Sequence, residues 1–150
     1  MSIEQDINQR KFRSEYQKAI VNLIYTYNWT TEQLKKIFDK EEITMQQFNM
    51  LRILRGSDKP LSTLQIRERM LDKMSDTSRI VDRLVAKGFV KKTTCESDKR
   101  LVDVIISDKG RKLLQKLDVF DPEMDAIAQA LTEEEAITFN SLLDKLRQSN

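Results

Sequence analysis

The chain has 150 residues, enough for one compact domain with its own hydrophobic core. One cysteine and no histidine exclude an internal disulfide, a zinc site of the usual cysteine–histidine kind and catalysis by a histidine base. No apolar run approaches the roughly 20 residues of a membrane-spanning helix, and the first residues lack the order of a signal peptide. These features predict a soluble cytoplasmic protein that needs no metal or other cofactor.

The net charge is only +2, but the charge is unevenly distributed. Residues 52–100 carry 13 basic and 7 acidic side chains, whereas residues 101–150 carry 6 basic and 10 acidic ones. A basic middle third between neutral and acidic neighbours is typical of one phosphate-facing module within a larger fold. A solvated face of mixed charge is the alternative explanation.

Apolar residues recur every three or four positions between residues 10 and 38, which predicts a long amphipathic helix or two helices in succession. They are Phe12, Tyr16, Ile20, Leu23, Tyr27, Leu34 and Phe38. Residues 28–31 offer a bend or a fresh helix start. Because this stripe is too long for a small domain to cover, we expect a partner helix from this chain or from another subunit.

Two short helices are predicted next. The first begins at Thr44, a good N-cap with Gln47 in the capping-box position, and Gly56 is expected to close it in the left-handed conformation. The second begins near Ser62. Its expected core positions are Leu64, Ile66 and Met70.

A third helix is predicted at about residues 74–87, capped by Asp72 or Ser75 and ended by Gly88. Its expected apolar positions are Met74, Thr77, Ile80, Val81, Leu84 and Val85. At 100° per residue, the opposite face carries Ser75, Asp76, Arg79, Asp82, Arg83 and Ala86. The helix that begins near Ser62 and this third helix are short and are joined by a tight turn. Because the third helix has a face of small polar residues and arginines, the two indicate a helix-turn-helix.

Residues 90–95 and 101–106 alternate or run apolar around a charged tip, which predicts a β-hairpin. The helix-turn-helix and this hairpin together predict a winged helix, in a fold that is mainly α with a small β-hairpin wing. Ser107 is expected to cap a further helix, Pro122 to interrupt it, and Thr132 with Glu135 to cap the last helix.

Residues 40–115 resemble the MarR (multiple antibiotic resistance regulator) winged-helix transcription factors. The resemblance rests on Ile43–Leu54, Leu61-Ser-Thr-Leu-Gln-Ile, Ser78 through Val90, and Asp98-Lys-Arg100 with the following Ile106-Ser-Asp-Lys-Gly110. The chain differs in having Cys95-Glu-Ser before the wing signature, no glycine before the recognition helix, and Pro122 within a helix that is usually continuous.

The resemblance implies one chain, residues 1–150, with a winged-helix DNA-binding region at about 40–110. Helices at about 5–38 and 111–148 would form a homodimer. Function would then be sequence-specific binding of double-stranded DNA by a ligand-responsive repressor on a near-palindromic operator. A winged-helix protein-interaction module is the alternative. An enzyme is disfavoured, because the sequence has no phosphate loop, dinucleotide turn or evident pair of catalytic carboxylates.

Arg79, exposed near the start of the recognition helix, is the first choice for reading guanine with two hydrogen bonds. Arg100 at the wing tip suits the minor groove, and the resemblance implies that Asp98 orients it. The remaining candidate DNA contacts are Ser75, Asp76, Ser78 and Arg83 on the helix and Lys91, Lys92 and Lys99 on the wing.

Family members often bind small aromatic compounds or sense oxidants through a cysteine in the first helix. An aromatic effector pocket would draw on Tyr16, Tyr25, Trp29 and Phe48, although such a stripe at helical spacing is more often ordinary core. Cys95 lies in the predicted wing, and we expect it to be an inert thiol.

Overall fold

The structure is a computed structural model that describes residues 2–94, 96–100 and 102–148. Along these residues the α-helices are Ile3–Asp6 (α1), Glu15–Phe38 (α2), Met45–Arg55 (α3), Thr63–Arg69 (α4), Thr77–Ala86 (α5), Asp108–Asp118 (α6), Asp121–Asp125 (α7) and Glu133–Arg147 (α8). The strands are Leu61–Ser62 (β1), Val90–Thr94 (β2) and Val102–Ile106 (β3), and short 3₁₀ helices lie at Asp39–Glu41 and Ala126–Ala128. The mainly α fold with a small wing is confirmed.

Local capping explains where several helices begin. Thr44, Ser62 and Thr132 each close a reciprocal capping box, and Ser107 accepts a hydrogen bond from the Gly110 amide at 3.1 Å. Capping satisfies backbone amides that have no partner within the helix, so it fixes a helix start from a few neighbouring residues. These predicted starts are confirmed.

Two details of the helix ends were predicted wrongly. Gly56 has φ −78°, because the chain leaves α3 through a right-handed turn in which the Ser57 amide donates to the Leu54 carbonyl. Helix α5 is capped by Asp76, whose carboxylate accepts from the Arg79 amide at 3.1 Å, rather than by Asp72 or Ser75.

Asp72 instead builds the turn before α5. Its side chain accepts from the Met74 amide at 2.9 Å, and its carbonyl accepts from the Ser75 hydroxyl at 2.8 Å. This turn directs Met74 into solvent, 92% exposed, and Leu64 on the outer side of α4 is 56% exposed. The prediction that both belong to the core was therefore wrong.

The wing belongs to a three-stranded antiparallel sheet with strand order β1-β3-β2. Val90 pairs with Ile106 and Thr94 with Val102, as a hairpin requires. Strand β1, which the sequence analysis did not predict, pairs with β3 through Leu61 and Val104. The wing is thereby joined to the start of α4 as well as to the end of α5.

A single buried cluster holds the winged-helix elements together. It includes residues from the end of α2, from α3, α4 and α5, from all three strands and from α6. Its most deeply buried members are Phe38, Met50, Leu51, Ile66, Met70, Val81, Leu84, Val104, Leu114 and Leu117. Phe38 and Phe48 stack with ring centroids 4.5 Å apart, which ties the end of α2 to α3.

The terminal helices are less covered. Helix α2 runs unbroken through residues 28–31, and its buried residues are Ile37 and Phe38 at its end. Pro122 lies in the first turn of α7, so it starts a new helix as expected. No residue of α8 is buried. Among the described residues, no helix combines the length and apolar character that crossing a membrane requires.

Candidate nucleic-acid interface

The exposed face of α5 consists of Ser78, Arg79, Asp82, Arg83 and Ala86. The opposite face buries Thr77, Val81 and Leu84 in the core, so rotation of the helix about its axis is fixed by packing. This is the surface that the sequence predicted, except that Ser75 and Asp76 precede the helix.

Arg79 and Arg83 are both exposed, and within the described part of the chain neither guanidinium has an ion-pair or hydrogen-bond partner. Their donors therefore remain available to a ligand. Asp76 and Ser75 have structural partners instead: Asp76 caps α5, and Ser75 is half-buried and donates to the turn. The sequence analysis left open what Asp76 does, and its capping bond gives a structural reason for an acid on this face.

Strand β2 lies beside the exposed face of α5. The Lys92 ammonium is 2.7 Å from the Asp82 carboxylate, with both side chains about half-exposed. Lys91, the neighbouring candidate, is exposed. The Lys92–Asp82 contact places the outer edge of the wing next to the helix face that carries Arg79 and Arg83.

The wing tip presents one arginine in a defined orientation. Asp98 accepts hydrogen bonds from the backbone amide, Nε and Nη2 of Arg100 at 3.0, 3.0 and 3.1 Å. These bonds to Arg100 hold the pKa of Asp98 below its usual range, and Asp98 raises the pKa of Arg100. The Arg100 side chain is nonetheless 90% exposed. Lys99 beside it is also exposed.

Close backbone packing fixes the wing against α5 and α6. Gly88 has φ +78°, which lets the chain turn sharply from α5 into β2. A Cβ on Gly110 would lie 2.3 Å from the Phe89 carbonyl oxygen, so α6 approaches this turn as only glycine permits. The Ser107 hydroxyl donates to the Gly88 carbonyl at 2.6 Å. Helix, wing and α6 therefore meet at one rigid corner.

Two lysines that the sequence analysis did not single out also brace this corner. Lys109 donates to the Lys87 carbonyl at 2.8 Å, and Lys87 donates to the Glu42 carbonyl at 2.6 Å. A cation at the C-terminal end of a helix is favoured by the exposed carbonyls there. The basic residue at the end of α5 was visible in the sequence, but its distant partners were not.

The four aromatic candidates for an effector pocket do not come together. Trp29 lines a groove between α2 and α7, whereas Tyr16 lines a different groove between α2 and α8. Phe48 packs against Phe38, and Tyr25 lines neither groove. One pocket made of all four is therefore wrong. Cys95 lies outside the described residues.

A helix-turn-helix followed by a hairpin with an exposed arginine at its tip is the winged-helix arrangement, which in many proteins binds DNA. A sequence model of the MarR family matches residues 43–102. Over these residues the chain is similar to the MarR family.

Individual relatives agree with this similarity. The regulator PecS of Dickeya dadantii is 27% identical over 119 residues, which cover 77% of this chain and 71% of PecS. A mutant of E. coli MarR complexed with operator DNA has a TM-score of 0.81 at 21% identity, covering 91% of this chain and 99% of that one. BpsR of Bordetella bronchiseptica, whose DNA binding is regulated by 6-hydroxynicotinic acid, has a TM-score of 0.77 at 19% identity, with coverages of 87% and 98%. These solved structures therefore share the winged-helix fold of this chain.

Proposed function

We propose that this protein is a sequence-specific transcriptional repressor that binds a near-palindromic operator as a homodimer and responds to a small aromatic effector. The single observation that carries the DNA-binding part is the exposed face of α5. It presents two unpaired arginines, and its rotation is fixed by the buried residues behind it. A helix of this kind fits the major groove, where arginine distinguishes guanine from other bases.

The roles divide between helix and wing. Arg79 reads a guanine in the major groove, and Arg83 contacts the adjacent backbone or base edge. Arg100 enters the minor groove, where narrow A·T stretches concentrate negative potential, and its bonds to Asp98 preset its direction. Ser78, Lys91 and Lys99 contact phosphates or nearby edges and thus position the protein without specifying sequence.

The homodimer is supported by apolar surface that this chain leaves uncovered. Helices α2 and α8 border an apolar groove of about 480 Å³. It is lined by Tyr16, Ala19, Ile20, Asn22, Leu23, Thr26, Phe139, Leu142, Leu143 and Leu146. A monomer rarely exposes such continuous apolar surface, and a second copy would cover it by symmetry. Two recognition helices would then meet successive major grooves about one helical turn apart.

The effector is supported by the groove between α2 and α7, which is about 480 Å³ in volume. Trp29 offers a stacking surface and Lys36 a positive charge at the same groove, in which Lys40 is paired with Glu123. BpsR, a protein of the same fold, responds to an aromatic acid. We therefore assign a small aromatic acid to this groove.

Selection of bound duplexes from a random DNA library tests the proposal directly. We expect an enriched near-palindrome with half-sites about one helical turn apart. On that operator, Arg79→Ala should weaken binding by about 1–3 kcal/mol while leaving scrambled DNA almost unaffected. Arg147→Ala, which also removes one positive charge but lies in α8, is the matched control. Equal losses on operator and scrambled DNA would remove base reading from Arg79.

The protein-interaction alternative would rest on the acidic residues of the recognition face. Asp76 is used as a helix cap and Asp82 is paired with Lys92, so both acids have partners within the chain. An electrophoretic shift of duplex DNA separates the two functions. If the protein binds DNA, its affinity should fall as salt rises, with a slope that grows with the number of phosphates contacted. Absence of any such shift for the full chain would favour the protein partner.

A further inference from the structure

Asp82 is unusual because it is an acid in the middle of the face proposed to meet DNA. It lies three residues after Arg79 and one before Arg83 on the exposed side of α5. Its side chain is 62% exposed and contributes neither a helix cap nor a core contact. Its partner is Lys92 on β2, at 2.7 Å.

This pair removes a lysine from the DNA-binding surface of the free protein. Lys92 follows the exposed Lys91 on β2 and would otherwise be a phosphate contact. While its ammonium remains on Asp82, its charge is neutralised within the protein. If it moves to a phosphate, Asp82 is left as an unpaired carboxylate beside a polyanion, which is unfavourable. On DNA of arbitrary sequence, the protein therefore loses either the Lys92–phosphate contact or the Lys92–Asp82 ion pair.

One DNA sequence feature resolves the conflict. In the major groove cytosine presents its N4 amino group, which a carboxylate accepts well. Adenine also has an amino group, but the N7 acceptor beside it would repel a carboxylate. With cytosine opposite Asp82, the carboxylate keeps a donor and Lys92 is free to reach phosphate. Exposed ion pairs contribute little to stability, so this exchange of partners is easy.

We propose that Asp82 is a specificity-determining residue. On DNA of arbitrary sequence its carboxylate holds Lys92 away from the phosphates. Where a cytosine lies opposite Asp82, the cytosine amino group replaces Lys92 as the partner of the carboxylate, and the lysine is free to contact phosphate. This inference rests on the proposed function as a sequence-specific DNA binder. It assigns Asp82 a base contact that the sequence analysis did not predict. It also makes Lys92 a conditional phosphate contact rather than a permanent one.

The test is Asp82→Asn, which keeps the size of the side chain and removes its charge. Affinity is measured on the selected operator and on a scrambled duplex over a series of salt concentrations. On scrambled DNA the variant should bind about fivefold more tightly, the scale of one exposed ion pair. The slope of log affinity against log salt should steepen by about 0.9 for each lysine freed. Affinity for the operator should rise less, so the ratio of operator affinity to scrambled-duplex affinity should fall.

Base replacement then tests the cytosine contact. In the wild type, exchanging one particular C·G pair in each half-site for another base pair should weaken binding. The Asp82→Asn variant should lose this preference and keep the others. The double variant Asp82→Asn with Lys92→Gln should return the salt slope on scrambled DNA to the wild-type value. Asp125→Asn removes the charge of an exposed acid at the end of α7, so it controls for loss of any negative charge and should leave the slope unchanged.

Two outcomes would overturn the inference: an unchanged salt slope in Asp82→Asn, or a C·G preference that survives the substitution. Either would leave the proposed function standing, because wild-type selection of an operator is read in the same experiment. If the wild type selects no duplex at all, the proposed function itself fails. The two failures are therefore distinguishable.

Discussion

The winged-helix elements and the terminal helices use apolar residues in opposite ways. In the former, Leu51, Leu84 and Val104 are completely buried, because the end of α2, helices α3 to α6 and the sheet close around them. In α8, by contrast, Ile137 is 60% and Leu142 59% exposed. The first region satisfies its hydrophobic pattern within one chain. The second does not, and its exposed apolar side chains are the surface on which the proposed dimer rests.

The paired rings of Phe38 and Phe48 join the end of α2 to α3, and ion pairs brace the elements nearby. Arg55 at the end of α3 forms a bidentate pair with Asp118 at the end of α6, with distances of 2.8 to 3.1 Å. Lys40 reaches Glu123 of α7 at 3.3 Å. A bidentate guanidinium–carboxylate pair fixes direction as well as distance.

Placing a charge in the uncovered groove should produce the largest effect. We expect Leu142→Lys to leave the helix content of the chain unchanged, since Leu142 is exposed, and to abolish dimerisation. Losing the second half-site should weaken operator binding by about 100-fold or more, the scale of a lost bivalent contact. Sedimentation at micromolar concentration and a DNA shift assay measure both quantities.

Leu71→Lys is the matched control, because Leu71 is 78% exposed but lies outside the groove. It should sediment like the wild type. If Leu142→Lys also remained dimeric, the uncovered faces of α2 and α8 would not be the interface, and the contrast between the two regions would need another explanation.

A pair of methionines four residues apart sharpens the contrast within the winged helix itself. Met70 is 1% and Met74 92% exposed. Met70→Ala should lower the free energy of unfolding by about 2–5 kcal/mol, because it opens a cavity in the core. Met74→Ala should change it by less than about 0.5 kcal/mol. Urea unfolding of both variants in parallel gives the comparison, and similar losses would mean that Met74 is covered in solution.

Those methionines also show where sequence reasoning reached its limit. Local chemistry predicted the caps at Thr44, Ser107 and Thr132, since each depends on residues three positions apart. Helical periodicity gave Met70 and Met74 the same expected burial, because it does not see that Asp72 turns the chain between them. Strand β1 was missed for a similar reason. Its two residues are extended through their pairing with β3, about 40 residues later in the chain.

The ion pairs of the candidate interface also differ in how far the sequence predicted them. Asp98 and Arg100 are two residues apart, so the family pattern already contained their contact. The Asp82–Lys92 pair joins a helix to a strand across the Gly88 turn. Its formation depends on where that turn places β2. The sequence predicted Lys92 correctly as a basic residue of the wing, but it did not reveal the partner that holds its charge.

The smallest expected effect concerns Ile3, a buried apolar residue of α1. Ile3 in α1 is 5% exposed, and Glu4 beside it forms an ion pair with Lys18 of α2 at 2.5 Å. The Lys18 hydrogen bond is the main cause that lowers the pKa of Glu4 to about 2 from 4.5. A carboxylate whose pKa is lowered in the folded state stabilises the fold above its unfolded pKa and loses that contribution as pH falls.

Docking of α1 on α2 should therefore be fully supported above about pH 4.5 and should weaken as pH falls towards 2. Lys18→Gln should return the Glu4 titration towards 4.5 and make residues 2–9 more sensitive to proteolysis at neutral pH, with the global unfolding midpoint almost unchanged. Carbon-13 NMR of the Glu4 carboxyl group measures the first effect. An unshifted titration in the wild type would show that α1 is not held by this pair. The uncovered surface of the terminal helices would then include α1 as well.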